Sequence, residues 1–257
     1  MSINYLIAAW HGARMFDDYC PPPESSTYYL EQHFKALELL DHSLDQVTVI
    51  VPELASAPQE FRDYIDNLQP SLSNGTPIAI HSRANVGRSY GGWVETCHRY
   101  KDDFTHFFLM EDDYVPVVDN FDELHMEYIR KQGGGYVCHH ISKDHAACSN
   151  GIVCSASMQA AYSGHQKLLR ETAWEDLTKP DPICDTQRSF HKPIRDCGYK
   201  LGSIGDKYAV AYTDWRFWPK YVLLNEHSKE PPVSVPVQFI DEFLSRNDRR
   251  DPDKPNS

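Results

Sequence analysis

The sequence has no apolar run approaching the roughly 20 residues that a membrane-spanning helix needs, which rules out a spanning protein. Positive charge is also scarce, with 25 Lys and Arg against 37 Asp and Glu for a formal net charge of −12. That sign repels phosphate backbones and anionic membranes and argues against general nucleic-acid binding, although a local basic pocket for a small phosphorylated ligand survives. None of the seven cysteines, Cys20, Cys97, Cys138, Cys148, Cys154, Cys184 and Cys197, stands in a CxxC pair, and their number is odd. Free thiols in a reducing compartment are the simplest reading. The start, Met-Ser-Ile-Asn-Tyr-Leu-Ile-Ala-Ala-Trp, has no basic n-region and too short an apolar stretch for a secretory signal, so a cytoplasmic protein is expected. Internal repeats and long low-complexity tracts are missing too.

What is present is ordinary globular composition, 41% hydrophobic and 24% charged over 257 residues, enough for one large domain or a domain with a short appendage. Short apolar runs alternate with amphipathic stretches, the pattern of an α/β layer fold. Strands are expected at Asn4 to Trp10, Gln46 to Val51, Pro77 to His81 and Thr105 to Met110. Between them, Ser25 or Ser26 can cap a helix that carries Tyr29, Leu30, Phe34, Leu37 and Leu40 at helical spacing. Further helices are expected at Glu60 to Leu68 and Tyr90 to Tyr100. Gln46 to Val51 is continuous and β-branched, as in a strand buried on both faces of a largely parallel sheet. Beyond Met110 the pattern predicts helices near Phe121 to Lys131, Gly164 to Thr172 and Asp185 to Cys197, the last interrupted by Pro193. Strands are predicted near Tyr136 to Ile141, Gly151 to Ser155, Tyr208 to Tyr212 and Tyr221 to Leu224. The expectation is one α/β domain over 1–228, with a central mostly parallel mixed sheet flanked by helices. A Pro- and charge-rich C-terminal extension over 229–257 would follow, its end too polar to bury.

In open α/β sheets ligands bind beyond the carboxyl ends of the strands. The polar residues there are Trp10, His11 and Arg14 after the first strand, Glu53 after the second, Arg83, Asn85 and Arg88 after the third, and Glu111-Asp112-Asp113 after the fourth. Three consecutive carboxylates at a strand end are costly unless a cation or hydrogen-bond donors meet them. Carboxylates and arginines at one sheet edge suit a metal–diphosphate ligand, because hard cations take carboxylate oxygens while guanidinium and backbone N–H groups take phosphate oxygens. The run from Ser82 to Trp93 adds a glycine-bearing loop at a helix start, where the dipole favours anions; a tight turn for close packing explains it as well. Asp185 suits a helix N-cap. Cys138-His139-His140 with His145 and Cys148 has zinc-ligand types, but three consecutive residues alternate faces on a strand. Trp215 to Trp218 reads as core packing or as a sugar-stacking wall.

A hydrophobic strand ending in an acidic Asp-x-Asp-like triplet, Phe-Phe-Leu-Met-Glu-Asp-Asp, preceded by an Arg-x-Asn-x-Gly loop, resembles the nucleotide-sugar-dependent glycosyltransferases of the GT-A (Rossmann-like) fold, family 2-like members above all. The resemblance runs from residue 3 to about 205. It implies a metal-dependent hexosyl- or pentosyltransferase that moves a sugar from a nucleotide-diphosphate sugar to a glycan or other acceptor hydroxyl, with inversion. The implied cofactor is Mn²⁺ or Mg²⁺, held by Asp113 and Asp112 with His227 as a late ligand. The donor would meet Ala9, His11, Arg14, Glu53, Arg83, Asn85, Arg88, Glu111, Asp112 and Asn150. Asp185 would be the general base, with Asp181, Asp176 and Glu175 as rivals. Two alternatives stand beside it. One is a sugar-1-phosphate nucleotidyltransferase, whose Gly-x-Gly-Thr-Arg-like loop Ala8-Ala9-Trp10-His11-Gly12-Ala13-Arg14 lacks. The other is a non-catalytic sugar-nucleotide or glycan-binding module.

Overall fold

The first strand, β1 (Ile3–Ala8), pairs in parallel with both β2 (Gln46–Pro52) and β4 (His106–Glu111) in the computed structural model, and β3 (Ile78–Arg83) adds to the far side of β2, also in parallel. The structure describes residues 1–12, 25–112, 114–116, 119–138, 151–171, 194–203 and 212–214. β5 (Tyr114–Pro116) leaves the main sheet and pairs antiparallel with β9 (Tyr212–Asp214). The main sheet continues with β6 (Gly134–Cys138), β7 (Gly151–Cys154) and β8 (Lys200–Ser203) in the spatial order β3-β2-β1-β4-β7-β6-β8, β7 being the strand that runs against its neighbours.

Side-chain alternation sorts the core into two layers. Tyr5, Ile7, Val47, Val49, Val51, Phe108 and Met110 face α1 (Tyr28–Leu39), α2 (Gln59–Asp66) and α4 (Phe121–Gln132). Leu6, Ile50, Phe107, Leu109 and Val153 face α3 (Arg88–Arg99) and α5 (Ser155–Glu171). β2 is buried from Val47 to Pro52, as its β-branched run requires. The expected single α/β domain with a mostly parallel mixed sheet is therefore what forms.

Two features of this frame position the site. The chain winds from β1 outward through β2 to β3 and then returns to place β4 on the other side of β1, so the ends of β1 and β4 form the switch point at which open α/β sheets place their ligand crevice. Gly92 then lets α3 lie close on the sheet, since a Cβ there would stand 3.1 Å from Ile50 Cγ2.

Several local expectations change. β1 stops at Ala8 rather than Trp10. The N-cap residue of α1 is Thr27, not Ser25 or Ser26, whose hydroxyls instead donate to Glu60 of α2 at 2.7 and 3.1 Å. α5 starts at Ser155, nine residues before the expected Gly164, because Ser155-Ala156-Ser157 is too small and polar to show a period and reads as the tail of β7. β8 and β5 are too short to stand out. Most of the expected helix over 185–197, all but the last residue of the expected strand from Tyr208 to Tyr212, the strand near 221–224, and the extension over 229–257 lie outside the described residues.

Candidate functional site

At the crevice the ends of β1 and β4 are tied together. Asp112 donates its N–H to Ala8 O at 3.2 Å, and its Oδ2 accepts the Trp10 N–H at 2.9 Å. This exchange ends β1, and it leaves Asp112 only 2% exposed. Behind it, His33 Nδ1 lies 3.2 Å from Asp112 O, and His33 Nε2 lies 2.7 Å from Tyr5 Oη. A carbonyl only accepts, so the ring donates from Nδ1 and Nε2 accepts the Tyr5 hydroxyl. Burial pushes the Tyr5 phenol well above its ordinary range, which keeps it a donor.

The turn after β1 is built on aromatic contact. The Trp10 and His11 rings stack at 5.1 Å and 24°, and His11 bonds Pro52 O through Nε2 at 3.0 Å. Gly12 passes against the indole so closely that a Cβ would stand 2.8 Å from Trp10 Cζ2. Ala9 is buried, its N–H donated to Ile50 O at 3.0 Å.

On the other side of β2, Glu53 takes a left-handed conformation (φ 52°) and donates its N–H to Arg83 O at 2.7 Å. The turn from β3 into α3 contains two successive left-handed residues, Gly87 (φ 69°) and Arg88 (φ 52°). α3 then starts with no side-chain cap and no acidic residue in its first turn, so the positive end of its dipole is not countered from within the helix. Ser89 Oγ donates to Glu111 Oε1 at 2.9 Å, which brings this helix start to the end of β4. Burial lowers the Arg88 pKa, but a guanidinium stays charged through such a change.

Ala9, His11, Glu53, Arg83, Asn85, Arg88, Glu111 and Asp112 thus stand at the carboxyl ends of four adjacent strands, β3, β2, β1 and β4, along one edge of the sheet. Their roles divide. Glu111, which accepts the Ser89 hydroxyl, and Arg88 are partly exposed, whereas the Asp112 side chain and the Arg83 guanidinium are almost fully buried in bonds to the protein. Arg14, Asp113, Asn150, Glu175, Asp176, Asp181, Asp185 and His227 lie outside the described residues, as do His139, His140, His145, Cys148 and the patch over 215–218. Among the described residues no three His, Cys, Asp or Glu side chains form a metal cluster, and no helix is long and apolar enough to cross a membrane. Ser89, Glu95, His33 and Tyr5 were missed. Their partners lie 12 to 79 residues away in sequence, so no local pattern announces them.

No protein-family model matches the chain, and no curated protein matches it in sequence. Solved structures do match it. A cytidylyltransferase from Leptospira borgpetersenii serovar Hardjo-bovis superposes with a TM-score of 0.51 at 12% identity, covering 98% of this chain and 98% of that one. A 4-diphosphocytidyl-2C-methyl-D-erythritol synthase from Anaerococcus prevotii gives 0.49 at 12% identity, over 89% and 96% of the two chains. A putative glucose-1-phosphate thymidylyltransferase from Bacillus anthracis gives 0.48 at 10% identity, over 93% and 99%. At such identities the likeness is one of fold.

The glycosyltransferase expectation is corrected by this. It rested on strand order and on the spacing of strand-end residues, and the sheet that carries both is shared with a cytidylyltransferase across nearly the whole chain. The fold is that of a solved cytidylyltransferase, the kind of protein named in the alternative weighed beside it.

Proposed function

We propose that this protein is a nucleotidyltransferase that joins a nucleoside triphosphate to a sugar-1-phosphate and releases pyrophosphate. The observation that carries the reading is the Ser89–Glu111 hydrogen bond, which sets an uncapped helix start and a strand-end carboxylate side by side at the β1–β4 crevice. A polyphosphate with its counter-cation needs that pairing: N–H donors and a dipole for the anion, a carboxylate oxygen for the cation.

An oxygen of the sugar phosphate attacks the α-phosphorus, a P–O bond forms, and the bond from that phosphorus to the β-phosphate oxygen breaks as pyrophosphate leaves. A phosphate monoester is already largely dianionic at neutral pH, so its attack requires no general base. Asp185, Asp181, Asp176 and Glu175 therefore have no proton to remove in this chemistry. Arg88 and Arg14 would bind phosphate oxygens, Ala9 would sit against the base, and His11 and Glu53 would lie toward the ribose. A divalent cation, Mg²⁺ or Mn²⁺, supplies charge neutralisation to the leaving pyrophosphate when bound. Glu111 fits it as a partly exposed carboxylate at the strand end, with Asp113 the next candidate along the chain. Such ions are held by one or two carboxylates plus substrate phosphates, so a three-residue cage is not required. The free thiols Cys97, Cys154 and Cys197 support a reducing, cytoplasmic setting.

The test is pyrophosphate release from CTP, UTP, dTTP, GTP or ATP, each offered with a series of sugar-1-phosphates and Mg²⁺. One pairing is expected to turn over, and Arg88→Ala to weaken its use of the triphosphate about tenfold, the value of one hydrogen bond to a charged group. Triphosphate binding without pyrophosphate release for any pairing would replace the enzyme with a binding module.

A further inference from the structure

Arg83 was expected to reach a ribose or a phosphate, yet its guanidinium is committed elsewhere. Nε donates to Glu95 Oε2 at 2.7 Å and Nη2 donates to Val86 O at 2.7 Å, and the side chain is only 5% exposed. These two bonds link three pieces of chain: the end of β3, the turn that leads into α3, and α3 itself two turns in. A Cβ at Gly92 would lie 3.8 Å from Arg83 Cδ and Nη1, an ordinary contact distance, so the bridge packs against α3 without depending on that glycine.

The bridged turn is also strained. Gly87 and Arg88 are the only consecutive left-handed residues among those described, and Arg88 lacks the freedom of glycine. A non-glycine residue stays in that region only where its surroundings over-determine it. Val86 immediately precedes the pair, and its carbonyl is the one that Arg83 holds. A second tie closes the same turn from the opposite side, where Ser89 bonds Glu111.

We infer that Arg83 is a positioning residue that, through Glu95 and Val86, holds the 84–87 turn in its left-handed form and so presents the start of α3 to the crevice. The expected contribution to substrate affinity rests on the proposed function, while the hold on the turn does not. A ligand-contacting Arg83 would behave in the opposite way. Neutralising Glu95 would then release the guanidinium fork and leave anion binding intact or tighter, because a competing carboxylate is gone.

The experiment uses the full chain as wild type, Arg83→Gln, Glu95→Gln and the double variant, with two readouts. The first is amide hydrogen exchange of the ligand-free protein, and the second is calorimetric binding of inorganic triphosphate with Mg²⁺. Glu95 is 31% exposed and Gln keeps its shape, so Glu95→Gln retains the fold. Exchange across 84–91 is expected to speed up about tenfold in each single variant and no further in the double, with β1 unchanged. Triphosphate binding should weaken about tenfold in both single variants, again non-additively. Unchanged exchange across 84–91 in Glu95→Gln, or triphosphate bound by that variant as tightly as by wild type, overturns the inference. A wild-type protein that binds no triphosphate counts against the proposed function, and hydrogen exchange still decides whether Arg83 holds the turn.

Discussion

Replacing Asp112 with Ala should cost stability in an amount that its hydrogen bond sets. The carboxylate is 2% exposed, and its Oδ2 receives the Trp10 N–H at 2.9 Å, the bond that turns the chain away from β1. Asp112→Ala removes a charged acceptor from a partly buried donor, a loss of about 1.5–3 kcal/mol. Asp112→Asn keeps an oxygen in the same place and gives up only the difference between a charged and a neutral acceptor, about 1 kcal/mol. For a domain of this size each kcal/mol moves Tm by about 2–4 °C, so alanine should lower it by about 3–12 °C and asparagine by about 2–4 °C. Urea unfolding followed by far-UV circular dichroism gives the same comparison as a shift in midpoint at constant slope. An alanine variant as stable as wild type, or more stable, would refute the reasoning. It would mean that Asp112 is held beside Glu111 at a net electrostatic cost and that the Trp10 bond does not repay it. Asparagine below alanine would refute it as well.

Gly12→Ala should push the Trp10 indole off its present position, since the new methyl would come within 2.8 Å of the ring; tryptophan fluorescence and near-ultraviolet circular dichroism should change, and an unchanged spectrum would show that the turn does not need a glycine. Glu53→Gly should stabilise the fold by up to about 1 kcal/mol, because Glu53 is exposed and left-handed and glycine carries no Cβ penalty there; a lower urea midpoint would contradict this. Burial, above all, lowers the pKa values of the partly buried His42, His81 and His106. The folded state then binds fewer protons than the unfolded chain, so the stability present at neutral pH should fall as pH drops below about 6.5 and the three must charge. Urea midpoints from neutral to mildly acidic pH check the sign, and His42→Gln should flatten part of the slope.

Much of the scaffold was legible because its signals are local. The β-branched run of β2 and the apolar spacing of Tyr29, Leu30, Phe34 and Leu37 each state their element without reference to the rest of the chain. The strand-end positions of Ala9, His11, Glu53, Arg83, Asn85, Arg88, Glu111 and Asp112 were legible for a related reason: in a parallel α/β sheet the residues just past each strand gather at one edge. Legibility failed where meaning depends on partners. Ser25 and Ser26 have the composition of a cap, but Glu60 lies within reach and takes both hydroxyls. Arg83 has the composition of a phosphate ligand, but Glu95 and Val86 surround its guanidinium. The reaction class failed in the same way, since the sheet on which the glycosyltransferase reading relied also forms in a cytidylyltransferase.

By itself, then, the sequence determined the layer architecture and which polar residues stand at the carboxyl ends of the strands, because periodicity and strand-end position are properties of neighbouring residues. Only the tertiary structure decided which of those residues stay partly exposed at that edge and which bond within the frame. Asp112 and Trp10 are 102 residues apart and Ser89 and Glu111 are 22 apart, and each pair becomes a hydrogen bond only when parallel strands and a close-packed helix bring their ends to the same edge. A carboxylate or a guanidinium carries the same charge in either role, and the partner that desolvation forces on it determines which role it plays.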